Sequence, residues 1–134
     1  MLPFSIDLKL GLPVTEQILF AVKKAVVTGQ LRPGDKFPST RALSEELRIN
    51  PNTAQKVVTA LVAEGVLLTT PAKGSVVAEP VHPARRESLA QLAEDLERLA
   101  VEARKLGLEE DDVHDALSAH WRKLDAAGRQ HSTR

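Results

Sequence analysis

The sequence predicts a mainly α-helical chain with one small β-hairpin. Residues 38–77 contain two short apolar-periodic segments, each with a capping residue at its start, and then two apolar runs around a Pro-Ala-Lys-Gly turn. This order of helix, tight turn, helix and hairpin is typical of a winged helix-turn-helix. Residues 83–106 then carry leucines at alternating steps of three and four, a pattern typical of helices that pack against another helix.

The first helix is predicted over residues 13–28, because apolar residues recur there on one face: Val14, Ile18, Val22, Ala25 and Val26. We expect this face to complete the small core behind the helix pair. In residues 1–12, apolar and polar side chains alternate, which predicts a short strand or an extended arm.

The second and third helices each begin at a residue whose side chain can cap them. Ser39 opens the second helix, and its hydroxyl can accept a hydrogen bond from a backbone N–H of the first turn. Asn50 opens the third helix and is followed by Pro51, whose missing N–H costs nothing at the first helical position. The predicted buried side of the second helix consists of Ala42, Leu43 and Leu47.

The third helix is predicted to be amphipathic. Its buried face consists of Ala54, Val57, Val58, Leu61 and Val62. That spacing leaves a polar outward face of Asn52, Gln55, Lys56 and Thr59. These side chains are hydrogen-bond donors and acceptors and not only charges, as contacts to the edges of base pairs require.

The hairpin follows the third helix directly. Gly65 is predicted to end the helix in the left-handed conformation, residues 66–70 to form a strand, and residues 75–77 to form the return strand. The turn between them would present Lys73 and the bare backbone of Gly74 where a minor groove and its phosphates could receive them.

The charge balance is neutral overall, with 18 basic and 18 acidic residues. Nine basic and seven acidic residues lie before position 81, against nine and eleven after it, so the N-terminal part is only mildly basic. Placement argues more strongly for nucleic acid than the sum does. The elements that would face DNA carry Lys36, Arg41, Lys56 and Lys73.

The C-terminal part is predicted to form two helices after a linker with two prolines at residues 79–83. The first, over residues 83–106, has a heptad seam of Leu89, Leu92, Leu96, Leu99, Ala103 and Leu106. The second follows Gly107 and a run of four acidic residues, with an apolar face that includes Val113, Leu117, Trp121 and Leu124. We expect the tail from Gly128 onward to be disordered.

Two helices of this length cannot enclose a sizeable ligand cavity within one subunit, so their apolar stripes need another surface. A second copy of the chain is the nearest available partner, which predicts a homodimer. The expected interface consists of Leu89, Leu92, Leu96, Leu99, Leu106, Val113, Leu117, Trp121 and Leu124. The alternative is that these helices fold back on the winged domain as a monomeric core.

The chain resembles the GntR family of bacterial transcription regulators, which carry a winged helix-turn-helix at the N-terminus. Residues 29–44 match the family pattern G-x-L-x-P-G-x-x-L-P-S-x-R-x-L-A, with Phe37 and Ser44 as mild departures. Residues 50–56, with Asn-Pro-Asn-Thr and a following lysine, are similar to the YtrA-type subfamily. The resemblance covers roughly residues 5–78 and is completed by residues 64–67 and 73–75.

The resemblance implies a dimeric regulator of double-stranded DNA, most simply a repressor at an inverted-repeat operator, with the two C-terminal helices used for dimerisation. The expected DNA-binding residues are Ser39, Arg41, Asn50, Asn52, Thr53, Gln55, Lys56, Lys73 and Gly74. Two alternatives stay open. One is a winged-helix module that binds protein without sequence-specific DNA binding, and the other is an enzyme-like sensor gated by a small molecule, which a cavity between the C-terminal helices would favour.

The predicted domain organisation is a DNA-binding domain at 1–78, a linker at 79–83, a dimerisation region at 84–127 and a tail at 128–134. No cofactor or metal is predicted, because there is no cysteine, and His114 and His120 are six residues apart on one helix. No nucleophile has a visible base, so no enzyme is predicted. The absence of a leader and of a long apolar run predicts a soluble cytoplasmic protein.

Overall fold

The computed structural model of the protein describes residues 1–72 and 74–131. The elements follow the predicted order: helices α1 (Val14–Val27), α2 (Thr40–Leu47) and α3 (Pro51–Ala63), strands β1 (Leu67–Thr70) and β2 (Gly74–Val77), and helices α4 (Arg85–Lys105) and α5 (Glu110–His131). The chain forms two compact units. One contains Met1–Pro80 together with the chain from Ala127, and the other is Val81–Ala126.

The core of the first unit lies where α1, α2 and α3 meet. Its fully buried side chains include Ile18, Val22, Leu43, Val57 and Leu61. These residues belong to the apolar faces predicted from the sequence. Val62 was predicted to lie on the same face and does not: its side chain is 37% exposed, because it falls at the edge of the buried arc of α3.

The N-terminal segment is an extended arm. None of the described residues 1–12 lies in a strand, yet Phe4 is buried, with its ring stacked on that of Phe37 at a centroid distance of 5.8 Å. Ile6 and Leu8 pack against the core from one side of the arm, while Leu10 is exposed. The alternation in the sequence therefore reflects an arm that covers the core without a strand partner.

Both predicted helix caps are confirmed. Ser39 Oγ accepts from the backbone N–H of Ala42 at 3.1 Å, and Asn50 Oδ1 accepts from the N–H of Asn52 at 2.8 Å. Gly65 has a φ of +78° after the end of α3, as a left-handed C-terminal residue requires. These three local signals fix where α2 and α3 start and where α3 stops.

The hairpin is antiparallel, with Leu67 opposite Val77 at its base. Its strands begin one residue away from the predicted positions, since β1 starts at Leu67 and β2 at Gly74. A further segment, residues 34–37, runs along β2, with hydrogen bonds from Gly34 N to Val77 O at 2.8 Å and from Val77 N to Asp35 O at 2.8 Å. The wing is therefore anchored to the loop that precedes α2.

The second unit consists of α4 and most of α5, joined at Gly107, whose φ is +78°. The leucines of the predicted seam are about half exposed or more in the single chain: Leu89, Leu92, Leu96, Leu99 and Leu106. Ala103 is the member of the seam that is buried. Among the described residues, no helix is long and apolar enough to cross a membrane.

The expectation of a disordered tail from Gly128 is wrong for residues 128–131, which form the last turn of α5. The physical reason is a contact far away in sequence: the Arg32 guanidinium donates to the carbonyl of His131. Local composition cannot reveal a partner that lies 99 residues away. Residues 132–134 lie outside the part of the chain that the structure describes.

Candidate nucleic-acid interface

The outward face of α3 is polar and exposed. Asn52, Gln55, Lys56 and Thr59 all lie on the solvent side of the helix, whereas Thr53 is half-buried. The opposite face packs on the core through Ala54, Val57 and Leu61, so the helix cannot rotate its polar face away from solvent. The structure thus brings the predicted α3 residues together on one rigid surface.

Gln55 is held in a small hydrogen-bond network. Its Oε1 accepts from the hydroxyl of Thr40 at 3.0 Å, and its Nε2 donates to the hydroxyl of Thr59 at 3.2 Å. The network ties the first turn of α2 to the middle of α3. A side-chain amide has two N–H donors and two acceptor lone pairs, so these two bonds leave a donor and an acceptor for another ligand.

Ser39 and Asn50 both lie at helix N-termini and use their side-chain oxygens to cap. Capping consumes an acceptor, and it leaves the hydroxyl hydrogen of Ser39 and the amide group of Asn50 as donors. The N-terminus of a helix also carries a partial positive charge, which favours an anion such as a phosphate. Two capped N-termini therefore flank the turn between α2 and α3.

Arg41 forms an ion pair within α2. Its Nε lies 3.2 Å from Oε1 of Glu45, and the two side chains are 88% and 68% exposed. An exposed pair four residues apart on a helix contributes little to stability, so the guanidinium can leave Glu45 for a stronger anion at small cost. Glu45 also brings negative charge to this surface, which the sequence analysis did not consider.

Thr70 and Gly74 lie on the two sides of the turn of the wing. The two residues face each other across the hairpin, and the hydroxyl of Thr70 donates to the carbonyl of Gly74 at 3.2 Å. Gly74 has a φ of +72°, which favours glycine over any residue with a side chain. Lys73, predicted as the charged residue of the wing, lies outside the described residues. Lys36 is exposed and pairs through its backbone with Val76 of β2.

Arg48 is a residue of this surface that the sequence analysis missed. It ends α2 in the left-handed conformation, with a φ of +54°, and it is exposed in the turn just before the cap of α3. Glycine or asparagine is the usual residue in that conformation. Because arginine carries no signal for it, the pattern gave no reason to single out this position.

The second unit contains a groove between α4 and α5 of about 780 Å³. Its lining is mostly apolar and includes Leu96, Leu99, Ala103, Leu108, Val113 and Leu117. The groove is open to solvent, since the three leucines at 96, 99 and 117 are each 47% exposed. A cavity between these two helices was expected only under the alternative of a small-molecule sensor.

His114 and Glu110 form a pair on α5. His114 Nε2 lies 3.2 Å from Glu110 Oε2, one helical turn away. Within residues 1–72 and 74–131, no group of three or more His, Asp or Glu side chains is arranged to hold a metal ion.

Comparisons with known proteins match both the winged domain and the C-terminal helices. The family described as bacterial regulatory proteins, gntR family, matches residues 14–77. The HTH-type transcriptional repressor YtrA of Bacillus subtilis is 32% identical over 111 residues, which is 82% of this chain and 85% of that protein. The uncharacterized HTH-type transcriptional regulator YhcF of the same organism is 27% identical over 78% of this chain and 87% of its own length.

Solved structures show the same fold over nearly the whole chain. A transcriptional antiterminator from Listeria monocytogenes superposes with a TM-score of 0.78 at 28% identity, covering 90% of this chain and 91% of that one. YtrA from Sulfolobus acidocaldarius, a GntR-family transcription factor, superposes with a TM-score of 0.52 at 27% identity, covering 90% and 98%.

Proposed function

Because this chain belongs to the GntR family of bacterial regulatory proteins, we propose that it represses transcription by binding an inverted-repeat operator as a homodimer. Like the family, it is a non-enzymatic DNA-binding regulator. The single observation that carries the proposal is the outward face of α3, where amide, hydroxyl and ammonium groups are exposed on a helix fixed from behind by its core.

In the proposed complex, α3 enters the major groove and reads base edges. The amides of Asn52 and Gln55 have the geometry for bidentate contact with adenine, and the ammonium of Lys56 suits a guanine edge or a phosphate. Gln55 arrives already oriented by Thr40 and Thr59, so less side-chain entropy is lost on binding.

The residues around α3 are proposed to hold the duplex through its backbone. Donors at the two helix N-termini, from Ser39 and Asn50, would face phosphates, and Thr53 would add a hydroxyl contact. Arg41 would exchange Glu45 for a phosphate. The wing, through Lys73 and Gly74, would lie along the adjacent minor groove.

Dimerisation is proposed to occur through the apolar face of α4 and α5. The expected interface is the exposed seam with the facing residues of α5: Leu89, Leu92, Leu96, Leu99, Leu106, Val113, Leu117, Trp121 and Leu124. Most of these side chains are already partly covered in the single chain, so each contributes roughly half of the about 1.5–3 kcal/mol of full burial on dimerisation. The nine together are then comparable with an association cost of about 4–15 kcal/mol. A second copy would also cover the groove between the helices.

Two-fold symmetry then makes the operator an inverted repeat, with half-sites about one helical turn, roughly 34 Å, apart. Repression is proposed from the similarity to the Bacillus subtilis protein, which is named a repressor. We expect the protein to act in the cytoplasm, where its DNA is.

The experiment that tests the proposal is selection of bound duplexes from a random pool with the full chain. We expect enrichment of a palindrome. A Lys56→Ala variant should lose about 1–3 kcal/mol of affinity per half-site, and its salt slope should fall by about two, because the proposed dimer carries two copies of Lys56. Arg122→Ala, at an exposed position of α5, is the matched control and should bind like the wild type.

A pool that stays unenriched at low ionic strength would contradict the proposal and favour the alternative, a winged-helix module that binds protein. Equal affinity of Lys56→Ala and wild type would contradict the contact proposed for α3 but not the proposal that the chain binds an operator.

A further inference from the structure

The N-terminal arm, residues 1–12, rests on the loop that precedes α2. Phe4 of the arm and Phe37 of the loop are both buried, and both belong to the core of the winged unit. Their rings stack almost in parallel, with an interplanar angle of 2°. An aromatic side chain buries a large apolar area, so this stack is a substantial contact between the arm and the loop.

Polar contacts hold the outer end of the arm on α1. The side chain of Gln17 accepts through Oε1 from the N–H of Lys9 at 2.7 Å, and its Nε2 donates to the carbonyls of Lys9 at 3.0 Å and Leu12 at 3.1 Å. One amide side chain thus satisfies three backbone groups of a segment in which none of the described residues lies in a strand. The arm is therefore fixed by an apolar contact near its start and a polar one near its end.

Phe37 links the arm to the wing, because its backbone is bonded to the return strand. Its N–H donates to the carbonyl of Ser75 at 2.9 Å, and the neighbouring Lys36 pairs with Val76. Residues 34–37 therefore pair with β2, which pairs with β1 as well. A hairpin of two short strands is marginally stable by itself, so this third segment supports the wing.

The turn of the wing lies away from the core. The strands have four residues each, and Leu67 and Val77 are buried at the base of the hairpin. Thr69 and Gly74, nearer the turn, are exposed. The bond from Phe37 to the residue after Gly74 therefore holds β2 close to the turn, and a shift of Phe37 would move the turn with it.

We propose that Phe4 is a positioning residue for the wing. By packing on Phe37, it sets where β2 lies and so where the turn with Lys73 and Gly74 meets the duplex. Phe4 is buried and does not contact DNA in this role. The inference rests on the proposed function, because the position of the wing affects binding only if the wing contacts DNA.

The salt dependence of operator binding gives a readout that a loss of stability alone does not change. The proposed dimer carries two copies of Lys73, so Lys73→Ala should lower the salt slope by about two. Phe4 is uncharged, and Phe4→Leu keeps an apolar side chain but removes the ring. It should nevertheless lower the salt slope by about one, because a displaced wing holds its lysine away from the phosphates. Its affinity for the operator should fall about fivefold, the lower end of usual coupling between sites.

Double variants separate an effect through the wing from a general one. In the Lys73→Ala background, Phe4→Leu should weaken binding by less than about twofold more, because the contact that it disturbs is already gone. In the Lys56→Ala background it should still cost about fivefold, since Lys56 lies on α3 and its contact does not depend on the wing. Phe20→Leu is the matched control, because it makes the same change on α1 at a side chain that is 68% exposed, and it should bind like the wild type.

Gln17→Met tests the arm without changing the aromatic pair. Methionine is similar in length but has no N–H donor and only a weak acceptor, so the arm loses its polar contacts with α1. The salt slope should fall in the same direction as in Phe4→Leu, by a smaller amount. Thermal melting and the mass in solution establish that each variant is folded and has the oligomeric state of the wild type.

Three results would overturn the inference. An unchanged salt slope in both Phe4→Leu and Gln17→Met would show that the arm does not position the wing. Equal losses from Phe4→Leu in the presence and absence of Lys73 would show that Phe4 only stabilises the fold. An unchanged salt slope in Lys73→Ala would remove the wing contact on which the inference depends. All three leave operator binding standing, whereas failure of the wild type to bind any palindrome would remove the proposed function itself.

Discussion

The two units of this chain treat their apolar residues in opposite ways. In the winged unit, Ile18, Leu43 and Leu61 are fully buried and the exposed face of α3 is polar. In the α4–α5 unit, the regular seam of leucines is about half exposed or more, and a groove lies open between the helices. The first unit buries its apolar residues within a single chain, whereas the second exposes an apolar surface of the kind that often marks an interaction site.

The largest effect is expected from a charge in the leucine seam, which tests whether a second chain buries the seam. Leu99→Asp should convert the proposed dimer to a monomer, because the carboxylate would have to be buried without a partner. Loss of two-site binding should then weaken operator affinity about 100-fold or more. Val101→Asp is the matched control: it adds the same charge to α4 at a position outside the seam that is 60% exposed.

The mass in solution measures the oligomer, and Trp121 gives an optical readout because it is the only tryptophan of the chain. Its side chain is 63% exposed, so dilution of the wild type should shift its emission to the red as the dimer separates. A dimer that persists in Leu99→Asp would place the interface elsewhere.

A second comparison uses one substitution in each unit. Leu61→Ala removes a fully buried side chain and should lower the free energy of unfolding by about 2–5 kcal/mol at any protein concentration. Leu92→Ala truncates an exposed seam residue, so its effect should appear only at concentrations where the dimer forms. Denaturant titration of both variants at two protein concentrations separates the cases. Equal, concentration-independent losses would show that the seam is covered within one chain.

Local signals explain how much of the first unit could be predicted from the sequence. The caps at Ser39 and Asn50 and the stop at Gly65 act within a few residues, so element order and most boundaries followed from them. The pairing of residues 34–37 with β2 has no such signal, since it joins segments about forty residues apart. The same holds for the last turn of α5, whose partner Arg32 lies near the start of the chain.

The candidate site was predictable in its residue types and not in its contacts. Helical periodicity placed Asn52, Gln55 and Lys56 on the outward face of α3, where the structure has them. It could not show that Gln55 is bonded to Thr40 and Thr59 or that Arg41 is paired with Glu45, because side-chain partners depend on how α2 packs on α3.

A smaller effect is expected at Arg48, where backbone strain lowers the stability of the winged unit. The φ of +54° is sterically unfavourable for a residue with a Cβ. Glycine avoids that strain but loses more conformational entropy on folding. Arg48→Gly should therefore raise the free energy of unfolding by roughly 0.5–1 kcal/mol, the difference between these two terms, measured by denaturant titration. Arg48→Ala, which removes the same charge and keeps the Cβ, is the control and should give no such gain. A gain in both variants would assign the effect to charge and not to backbone strain.

The smallest expected effect concerns the ion pair between Arg41 and Glu45 on the exposed surface of the winged unit. Arg41 is paired with Glu45 in the single chain, so binding a phosphate means giving up that pair and accepting repulsion from its carboxylate. Glu45→Gln removes both costs and should strengthen operator binding about two- to fivefold, with a larger gain at low salt because the effect is electrostatic. Glu46→Gln, an exposed neighbour on the same helix, is the matched control. An equal gain from Glu46→Gln would mean that net charge, and not the release of Arg41, decides the affinity.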